Sequence, residues 1–387
     1  MSATVEKRIG ALLLCAVFCV FCFGCGAPDA PRADGPAWSG LSVLREVPLS
    51  YATQFSVTEY EGGYTLIEIE TSGRFLLVPE GAGVPDGLDA DVTVLYSPLD
   101  RIYLAATSGM DFFRALDAIS NIRLSGTNEN GWYIEEARAA MRAGDMRFAG
   151  KYNAPDYELI YSEQCDLAIE STMIYHSPEI KEQLEKLGVP VLVERSSYET
   201  DPLGRMEWIK LYGALTGKTA EAEAWFDAEC ESLLPLLEQP KTQKTVAFFY
   251  ITTNGTVNVR KSTDYVPKMI EMAGGRYVFD SLDSGSALST VNMTMEHFYD
   301  GAKDADVLIY NSTIDTELFT VDELLQKSAL LQSFRAVQNG DVWCTGKDLF
   351  QSPTGFGKLI LDMHRVLTDP DAPETLTYLH KLTDGGR

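Results

Sequence analysis

The chain of 387 residues is long enough for two domains of ordinary size, and with 45% hydrophobic and 23% charged residues its composition is typical of a globular protein. Asp and Glu number 56 against 32 Lys and Arg, which gives a net charge of −24. Because an excess of negative charge this large repels a nucleic-acid backbone, we expect no nucleic acid among the partners.

The amino terminus has the pattern of an export signal. Lys7 and Arg8 precede an uncharged run over residues 9–23, which is too short for a comfortable transmembrane helix of about 20 apolar residues. We therefore predict a signal peptide over residues 1–24. Residues 25–40 are rich in Pro, Gly and Ala and show no apolar period, so we predict a flexible tether there.

The end of this signal resembles a bacterial lipobox. In such a motif the final cysteine receives a diacylglycerol and becomes the first residue of the mature chain. Here that residue is Cys25, whose acyl chains would hold the protein on a membrane. Lipoboxes usually carry Leu three residues before the modified cysteine, and Cys22 holds that place. Cleavage elsewhere or a retained anchor therefore stays open.

The body of the chain has three further cysteines. Cys165, Cys230 and Cys344 lie far apart and lack CxxC spacing, so a metal knuckle is not indicated, although counting alone leaves a disulfide open. We expect three buried thiols.

The first predicted elements after the tether are β-strands. Residues 41–80 alternate apolar and polar positions and are interrupted at Gly62-Gly63 and Ser72-Gly73, which predicts antiparallel strands with hairpin turns. Over residues 101–195 short apolar runs alternate with helical stretches. That alternation predicts a mostly parallel sheet covered on both faces.

Residues 201–240 are predicted to be helical, with a break at Thr216-Gly217. The second piece would be about 33 Å long at 1.5 Å per residue, which is long enough to join two lobes. Strands and helices then alternate again, so the second half repeats the plan of the first. The fold class is therefore α/β, with two Rossmann-like lobes, 41–200 and 241–387, joined by a long rigid helix. An added β-hairpin region at 51–80 belongs to the N-terminal lobe.

Each lobe carries a glutamate shortly before its central strand. Glu158 precedes Asp166, and Glu296 precedes Asp306, at similar spacings. Each glutamate is thus predicted on a short helix ahead of a buried strand. Because helices are rich in surface glutamate, the spacing alone favours two solvated carboxylates over a functional pair.

The order of several landmarks resembles a known family. Arg114-Ala115-Leu116 ends a helix, Gly188-Val189-Pro190-Val191 leads into a strand, and Ala273-Gly274-Gly275 lies in the second lobe. Over roughly residues 90–367 the chain resembles the lipid-anchored substrate-binding proteins of ABC importers for iron-siderophore complexes, haem and vitamin B12. These are periplasmic binding proteins of the helical-backbone type.

The resemblance implies a solute-binding component rather than an enzyme, acting as a monomer without a cofactor. The partners it implies are an ABC permease with its ATPase and a metal chelate, foremost an iron(III)-siderophore complex, with haem or cobalamin as alternatives. In this family the two lobe glutamates pair with arginines of the permease, so Glu158 and Glu296 are the expected docking residues. Charges at an interface rim fix register more than they add affinity.

The family's ligand site lies between the lobes, in loops at the carboxyl ends of strands, which singles out candidates by position. They are Ser108, Met110, Ser171, Thr172, Tyr198, Arg205, Tyr250, Thr252, Arg260, Tyr265, Asn311 and Lys347. Helix capping is the competing role for Ser108, and an ion pair with Glu199 or Glu207 is the competing role for Arg205. Aromatic walls with a few cations suit an anionic iron chelate or a corrinoid.

Two other kinds of function were weighed. A site for bare zinc or manganese needs clustered imidazoles and carboxylates, whereas the four histidines are scattered along the sequence, so no metal site is predicted. An exported enzyme of unknown reaction is the alternative from a different class. Neither a GxSxG nor an HExxH motif occurs, and no catalytic residue is predicted.

Overall fold

The computed structural model describes Trp38 and residues 40–282 and 289–385. Within these ranges no helix is long and apolar enough to cross a membrane. The predicted signal peptide, the lipidation site Cys25 and most of the tether lie outside the described residues. At the end of the tether Trp38 is buried and stacks on Tyr60, with 5.8 Å between the ring centroids, so it belongs to the folded body.

The predicted hairpins form an N-terminal sheet. Its strands are β1 (Val43–Glu46), β2 (Phe55–Tyr60), β3 (Thr65–Ile69), β4 (Gly73–Val78) and β5 (Val92–Tyr96), in that order across the sheet. β1 to β4 are antiparallel, as predicted, and Gly62, Gly63 and Thr71 take positive φ in the turns. β5 was not predicted. It lies parallel to β4, after residues 79–91 carry the chain back along the sheet.

Side chains of the N-terminal sheet alternate between two cores. Phe55, Ile67 and Phe75 belong to the main hydrophobic core of the protein, whereas Leu66 packs with Trp38 in a separate cluster. This alternation has the period of two that is expected of a strand. Because both faces are covered, the N-terminal sheet is an integral part of the body.

The first α/β sheet is parallel throughout. The strands of this region, with a short ribbon β9–β10 among them, are β6 (Ile102–Leu104), β7 (Ile122–Ser125), β8 (Arg147–Phe148), β9 (Gly150–Lys151), β10 (Ala154–Pro155), β11 (Leu167–Ser171) and β12 (Val191–Glu194). The accompanying helices are α1 (Gly109–Ala115), α2 (Glu135–Ala143), α3 (Tyr157–Ser162) and α4 (Pro178–Lys186). The order across the sheet is β12-β11-β6-β7-β8, with every pairing parallel. Ala168 and Ile169, neighbours in β11, fall in different core clusters, which confirms that both faces are covered.

Three helices connect the two α/β regions where two were predicted. They are α5 (Pro202–Glu207), α6 (Ile209–Thr216) and α7 (Thr219–Leu237). The Asp201 side chain caps α5 by accepting the Leu203 N–H at 2.8 Å. Gly217, in the left-handed region at φ 69°, ends α6 at the predicted break. The 19 residues of α7 span about 28 Å, less than predicted because the helix ends at Leu237.

The second α/β sheet is parallel only at its centre. Its strands are β13 (Thr245–Ile251), β14 (Val257–Arg260), β15 (Arg276–Tyr277), β16 (Thr290–Met293), β17 (Val307–Tyr310), β18 (Val342–Thr345) and β19 (Leu379–Lys381). The helices are α8 (Tyr265–Met272), α9 (Met295–Ala302), α10 (Val321–Lys327), α11 (Arg335–Asn339) and α12 (Phe356–Thr368). The order is β16-β14-β13-β17-β18-β19, with β15 beside β13. β13, β17 and β18 are parallel, whereas β14, β16 and β19 are antiparallel to their neighbours.

The expectation that the second half repeats the plan of the first is therefore right for the centre of the sheet and wrong for its edges. Asn254 and Gly255 turn the chain directly after β13, with Gly255 at φ 82°, so that β14 runs back beside it. An Asn-Gly pair between β-branched residues is a strong signal for a hairpin.

The body cysteines are free thiols in the part of the chain that the structure describes. Cys165 and Cys344 are buried and Cys230 is partly buried. Burial raises the pKa of each thiol above its ordinary value, so all three are protonated at neutral pH. No disulfide joins these three described cysteines.

Candidate functional site

Several of the predicted site residues meet around Arg205. Its guanidinium carbon lies 3.7 Å from the centroid of the Tyr265 ring. Its Nε donates to the carbonyl oxygen of Glu199 at 3.0 Å, and its Nη2 donates to the carbonyl oxygen of Ser197 at 2.6 Å. Arg205 is on α5 and Tyr265 begins α8, so this contact joins the connecting helices to the second α/β region.

The two carboxylates weighed as partners of Arg205 are occupied elsewhere. Glu207 is fully buried and accepts backbone N–H groups of residues 50–52 at 2.7 to 2.9 Å. Glu199 accepts the N–H groups of residues 53–54 at 2.9 and 3.0 Å. Both glutamates thus hold the loop between β1 and β2. The predicted alternative, an ion pair of Arg205 with either carboxylate, is not formed among the described residues.

A second arginine lies near the same ring. The guanidinium carbon of Arg260 is 5.6 Å from the Tyr265 centroid, and its Nη1 is 3.7 Å from Asp264 Oδ2. Tyr265 also stacks on Phe356, with 5.2 Å between centroids. Burial lowers the pKa of Arg205, and the positive charge of Arg260 lowers it further, but a guanidinium stays charged at neutral pH. Two cations therefore share one aromatic ring, and one of them, Arg205, has no carboxylate partner among the described residues.

Glu194, at the end of β12, adds a buried acid beside this cluster. It is 2% exposed, and its Oε1 accepts the Ser196 N–H at 2.9 Å. The Ser108 hydroxyl lies 3.4 Å from Oε2. Burial raises the pKa of Glu194, opposed by its bonds to Ser196 and by the charge of Arg205. Ser108 forms no cap bond to α1, so the capping role weighed for it is not observed. Glu194 was missed because it ends an apolar run.

Exposed apolar side chains follow the carboxyl ends of strands in both α/β sheets. They are Tyr133 after β7, Met173 and Tyr175 after β11, Tyr198 after β12, Ile314 and Phe319 after β17, and Phe350 after β18. Such ends are where ligands bind in α/β proteins. Of these residues only Tyr198 was predicted as a site residue, although all of them follow a strand and the same positional signal could have found them.

Polar bonds join the loop after β18 to the first α/β region. Gln351 is fully buried; its Nε2 donates to the Gly131 carbonyl at 2.7 Å and its Oε1 accepts the Tyr133 N–H at 2.8 Å. Asp111, on α1, accepts the N–H and the hydroxyl of Thr354 at 2.9 and 2.5 Å. The two α/β regions are thus directly bonded beside the exposed aromatic residues.

Other predicted residues have structural surroundings. Met110 lies in the main core with no exposed surface. Asn311 is almost fully buried, and its Oδ1 accepts the N–H and the hydroxyl of Thr313 at 3.2 and 2.7 Å. The Thr252 hydroxyl is bonded within the β13–β14 turn, 2.7 Å from the Thr256 hydroxyl. The structure does not bring these three to the arginine cluster.

The remaining predicted residues lie at strand ends with part of their surface exposed. Ser171 is the last residue of β11 and Thr172 follows it, with Thr172 Oγ1 3.3 Å from Ser197 Oγ. Tyr250 and Lys347 are partly buried at the ends of β13 and β18. These positions match the expected edge of each sheet.

The chemistry of the arginine cluster favours an oxyanion. Guanidinium groups offer planar pairs of donors to carboxylate, catecholate or phosphate oxygens, and the rings beside them offer flat apolar surface. Within the described ranges, no group of three His, Cys, Asp or Glu side chains could hold a metal ion.

A sequence model of the family described as periplasmic binding protein matches residues 126–349. The chain belongs to the periplasmic binding protein family. A periplasmic haem-binding protein of Pseudomonas aeruginosa is similar in structure, with a TM-score of 0.57 and 16% identity over 74% of this chain and 99% of that chain. A protein of an ABC-type Fe3+-hydroxamate transport system from Saccharomonospora viridis gives a TM-score of 0.54 and 19% identity over 70% and 94%. These likenesses are to two-lobed solute-binding proteins, so the predicted fold class is confirmed.

The family match of this binding protein begins at residue 126, so the N-terminal sheet lies outside it. An uncharacterized lipoprotein of Methanocaldococcus jannaschii is 26% identical over 316 residues, 76% of this chain and 73% of its own length. A second lipoprotein of that organism is 24% identical over 378 residues and covers 92% of this chain. This match also covers 90% of the relative's own length.

The two glutamates predicted to dock this binding protein occupy equivalent positions in the two α/β regions. Glu158 is the second residue of α3 and Glu296 the second residue of α9, directly ahead of β11 and β17, as predicted. The side chains of Asp156 and Thr294 cap these helices. Asp156 Oδ1 accepts the Leu159 N–H at 3.0 Å, and Thr294 Oγ1 accepts the His297 N–H at 3.3 Å. Both glutamates are exposed, and neither forms an ion pair with another described residue.

Proposed function

We propose that the protein is the extracytoplasmic solute-binding component of an ABC importer and that it captures an anionic metal chelate, foremost an iron(III)-siderophore complex. Family membership supports the solute-binding role. Structural matches that include a haem-binding protein and a component of an Fe3+-hydroxamate transport system support a chelate as the ligand class. Haem and cobalamin are the alternative ligands of the same cleft.

The observation that carries the ligand class is the arrangement of Arg205 and Arg260 around Tyr265. A cation that is largely removed from water costs free energy unless an anion pairs with it. The carboxylates of Glu199 and Glu207 are bound to backbone N–H groups instead. An anionic ligand would supply the missing charge, and its flat apolar parts would contact the aromatic side chains nearby.

Tryptophan fluorescence during titration with ferric tris-catecholate, ferric tris-hydroxamate, haem and cobalamin tests this proposal. We expect a saturable change with at least one of the four and the tightest binding for an anionic chelate. Arg205→Gln should weaken that binding about tenfold or more, since a charge-assisted hydrogen bond is lost. Arg276→Gln, at an exposed arginine, is the matched control. If none of the four compounds changes the tryptophan fluorescence, the proposed ligand class is wrong.

Docking to the permease is proposed for Glu158 and Glu296, whose exposure and unpaired carboxylates suit contact with arginines of a partner. The double variant Glu158→Ala and Glu296→Ala should lose uptake in membrane vesicles while its affinity for the ligand stays unchanged. Glu136→Ala, at another exposed helix glutamate, should keep uptake. A loss of ligand affinity in the double variant would refute the docking role.

Anchoring through Cys25 is the remaining part of the proposal, and it is supported by the lipoprotein names of the relatives. Cys25→Ser should move the protein from the membrane fraction to the soluble fraction of a cell extract and abolish labelling by a fatty-acid precursor. Retention of the variant in the membrane fraction would show that another segment anchors the chain.

A further inference from the structure

Arg195, like Arg205, has no carboxylate partner among the described residues, and it is buried. Arg195 directly follows β12 and is 8% exposed. Its Nη2 donates to the Gln54 amide oxygen at 3.1 Å, and its guanidinium carbon lies 4.3 Å from the centroid of the Tyr198 ring. Its Nε is buried and has no hydrogen-bond partner. A neutral amide and an aromatic face are thus the partners that the described residues provide for this charge.

The acids nearest to Arg195 in the sequence are engaged elsewhere. Glu194 accepts bonds from Ser196 and Ser108, and Glu199 accepts the N–H groups of residues 53–54. Removing a charge from water costs several kcal/mol when nothing compensates it, and an unmade hydrogen bond of a buried N–H adds to the cost. The arrangement is therefore incomplete without an anion.

The place of this arginine in the fold makes an anion accessible to it. Tyr198 is 50% exposed, so the stacked pair reaches solvent. The neighbouring residue Ser197 lies beside Thr172, which follows the carboxyl end of β11, and such ends are where ligands bind in α/β proteins. Gln54 comes from the loop between β1 and β2, so one of the side chains around Arg195 belongs to the N-terminal region that lies outside the family match.

We propose that Arg195, Gln54 and Tyr198 form a second oxyanion site, separate from the cluster around Arg205, that takes a carboxylate, phosphate or catecholate oxygen. The guanidinium would supply charge-assisted hydrogen bonds through its unpartnered Nε–H, and the Tyr198 ring packs against its face. The use of this site as a subsite for one arm of a chelate rests on the proposed function. Its binding of a simple anion does not depend on that function.

The first experiment uses inorganic phosphate and the full chain at low ionic strength. The Nε–H resonances of the arginines are followed by proton–nitrogen correlation spectra, and the Arg195 resonance is assigned by its loss in Arg195→Lys. We expect this resonance to move saturably with phosphate but not with chloride at equal ionic strength. No phosphate-dependent movement of the Arg195 resonance would overturn the proposal.

Gln54→Glu is the sharpest variant because it places a carboxylate where the amide oxygen now accepts from Arg195. The new ion pair should abolish the response to phosphate while the thermal midpoint is kept or raised. Gln243→Glu makes the same chemical change at an exposed residue elsewhere and should leave the response intact. A full phosphate response in Gln54→Glu would overturn the proposal.

Arg195→Lys is the second variant, for the case that Gln54→Glu does not fold. It keeps the charge but loses the planar fork, so it should weaken phosphate binding about tenfold in a calorimetric titration. Unchanged phosphate affinity in Arg195→Lys would overturn the proposal.

A second readout separates this site from the chelate proposal. Gln54→Glu should weaken binding of the trianionic ferric tris-catecholate about tenfold and leave binding of the neutral ferric tris-hydroxamate unchanged. Equal losses for both compounds would mean that the variant disturbs the cleft rather than one oxyanion contact. If the unaltered protein binds no chelate at all, the proposed function fails, whereas the phosphate titration still decides the anion site.

Discussion

Replacing Glu170 by Gln should stabilise the protein at neutral pH. Glu170 lies in β11 with no exposed surface, and within the described residues neither of its carboxyl oxygens has a hydrogen-bond partner. Burial raises its pKa from 4.5 to about 8. Its partner across the sheet is Val193, and Tyr103 is a buried neighbour. The folded protein therefore holds this carboxyl protonated at pH 7.

The sign of the effect follows from the two pKa values. Between about pH 4.5 and pH 8 the carboxyl of Glu170 is protonated in the folded protein and ionised in the unfolded chain, so unfolding releases a proton and the free energy of unfolding falls as pH rises. At about 1.4 kcal/mol per pH unit the loss is about 3 kcal/mol at pH 7 and about 5 kcal/mol over the whole window. Below pH 4.5 both states are protonated and this loss disappears.

Urea unfolding of the wild type and of Glu170→Gln at pH 5, 6, 7 and 8 measures this effect. The variant should gain on the wild type by about 1.4 kcal/mol for each pH unit, because other titrating groups cancel in the difference. Glu136→Gln, at an exposed glutamate of α2, should show no such trend. A difference between Glu170→Gln and wild type that stays constant from pH 5 to pH 8 would refute the inference that the carboxyl is desolvated and unpaired.

Two further predictions concern the bonds that hold the site together. Gln351→Ala removes the bonds to the Gly131 carbonyl and the Tyr133 N–H and should cost about 1 to 3 kcal/mol of stability. Amide hydrogen exchange over residues 131–133 should rise, and unchanged exchange would contradict the bonding role. Glu207→Gln leaves the buried Lys210 without its counter-ion at 2.8 Å and should cost about 3 to 5 kcal/mol in urea unfolding. Glu231→Gln, at an exposed glutamate of α7, is the control. An equal loss of stability in this control would contradict the role of Glu207 as the counter-ion of Lys210.

The sequence predicted those parts of the fold whose hydrogen bonds follow from local pattern. Alternating strands and helices specified the parallel centre of both α/β sheets, since a parallel neighbour requires a crossover that a helix provides. The short helices of Glu158 and Glu296 were located because each precedes an Asp and an apolar strand. The antiparallel strand β14 was missed, although the Asn254-Gly255 turn indicates a hairpin there.

The partners of the site residues could not be predicted in the same way. Whether Arg205 pairs with Glu199 or Glu207 depends on residues 50–54, which lie about 150 positions earlier and whose N–H groups occupy both carboxylates. Gln351 is bonded to residues 218 and 220 positions away. No periodicity or spacing encodes such contacts, because they arise only when separate elements pack together.

The three arginines of the proposed ligand sites and the protein as a whole have charges of opposite sign, and this determines how salt should act on binding. In the proposed function Arg195, Arg205 and Arg260 would attract an anionic chelate at short range, whereas the net charge of −24 repels an anion at a distance. Salt screens charges separated by more than about 8 Å at physiological ionic strength and screens buried contacts much less. In stopped-flow measurements the association rate of a trianionic chelate should therefore rise with salt, while that of a neutral chelate stays constant. Association of the anionic chelate that slows with salt would mean that the three arginines dominate the field already at encounter, and that the acidic surface is too far from the cleft entrance to oppose them.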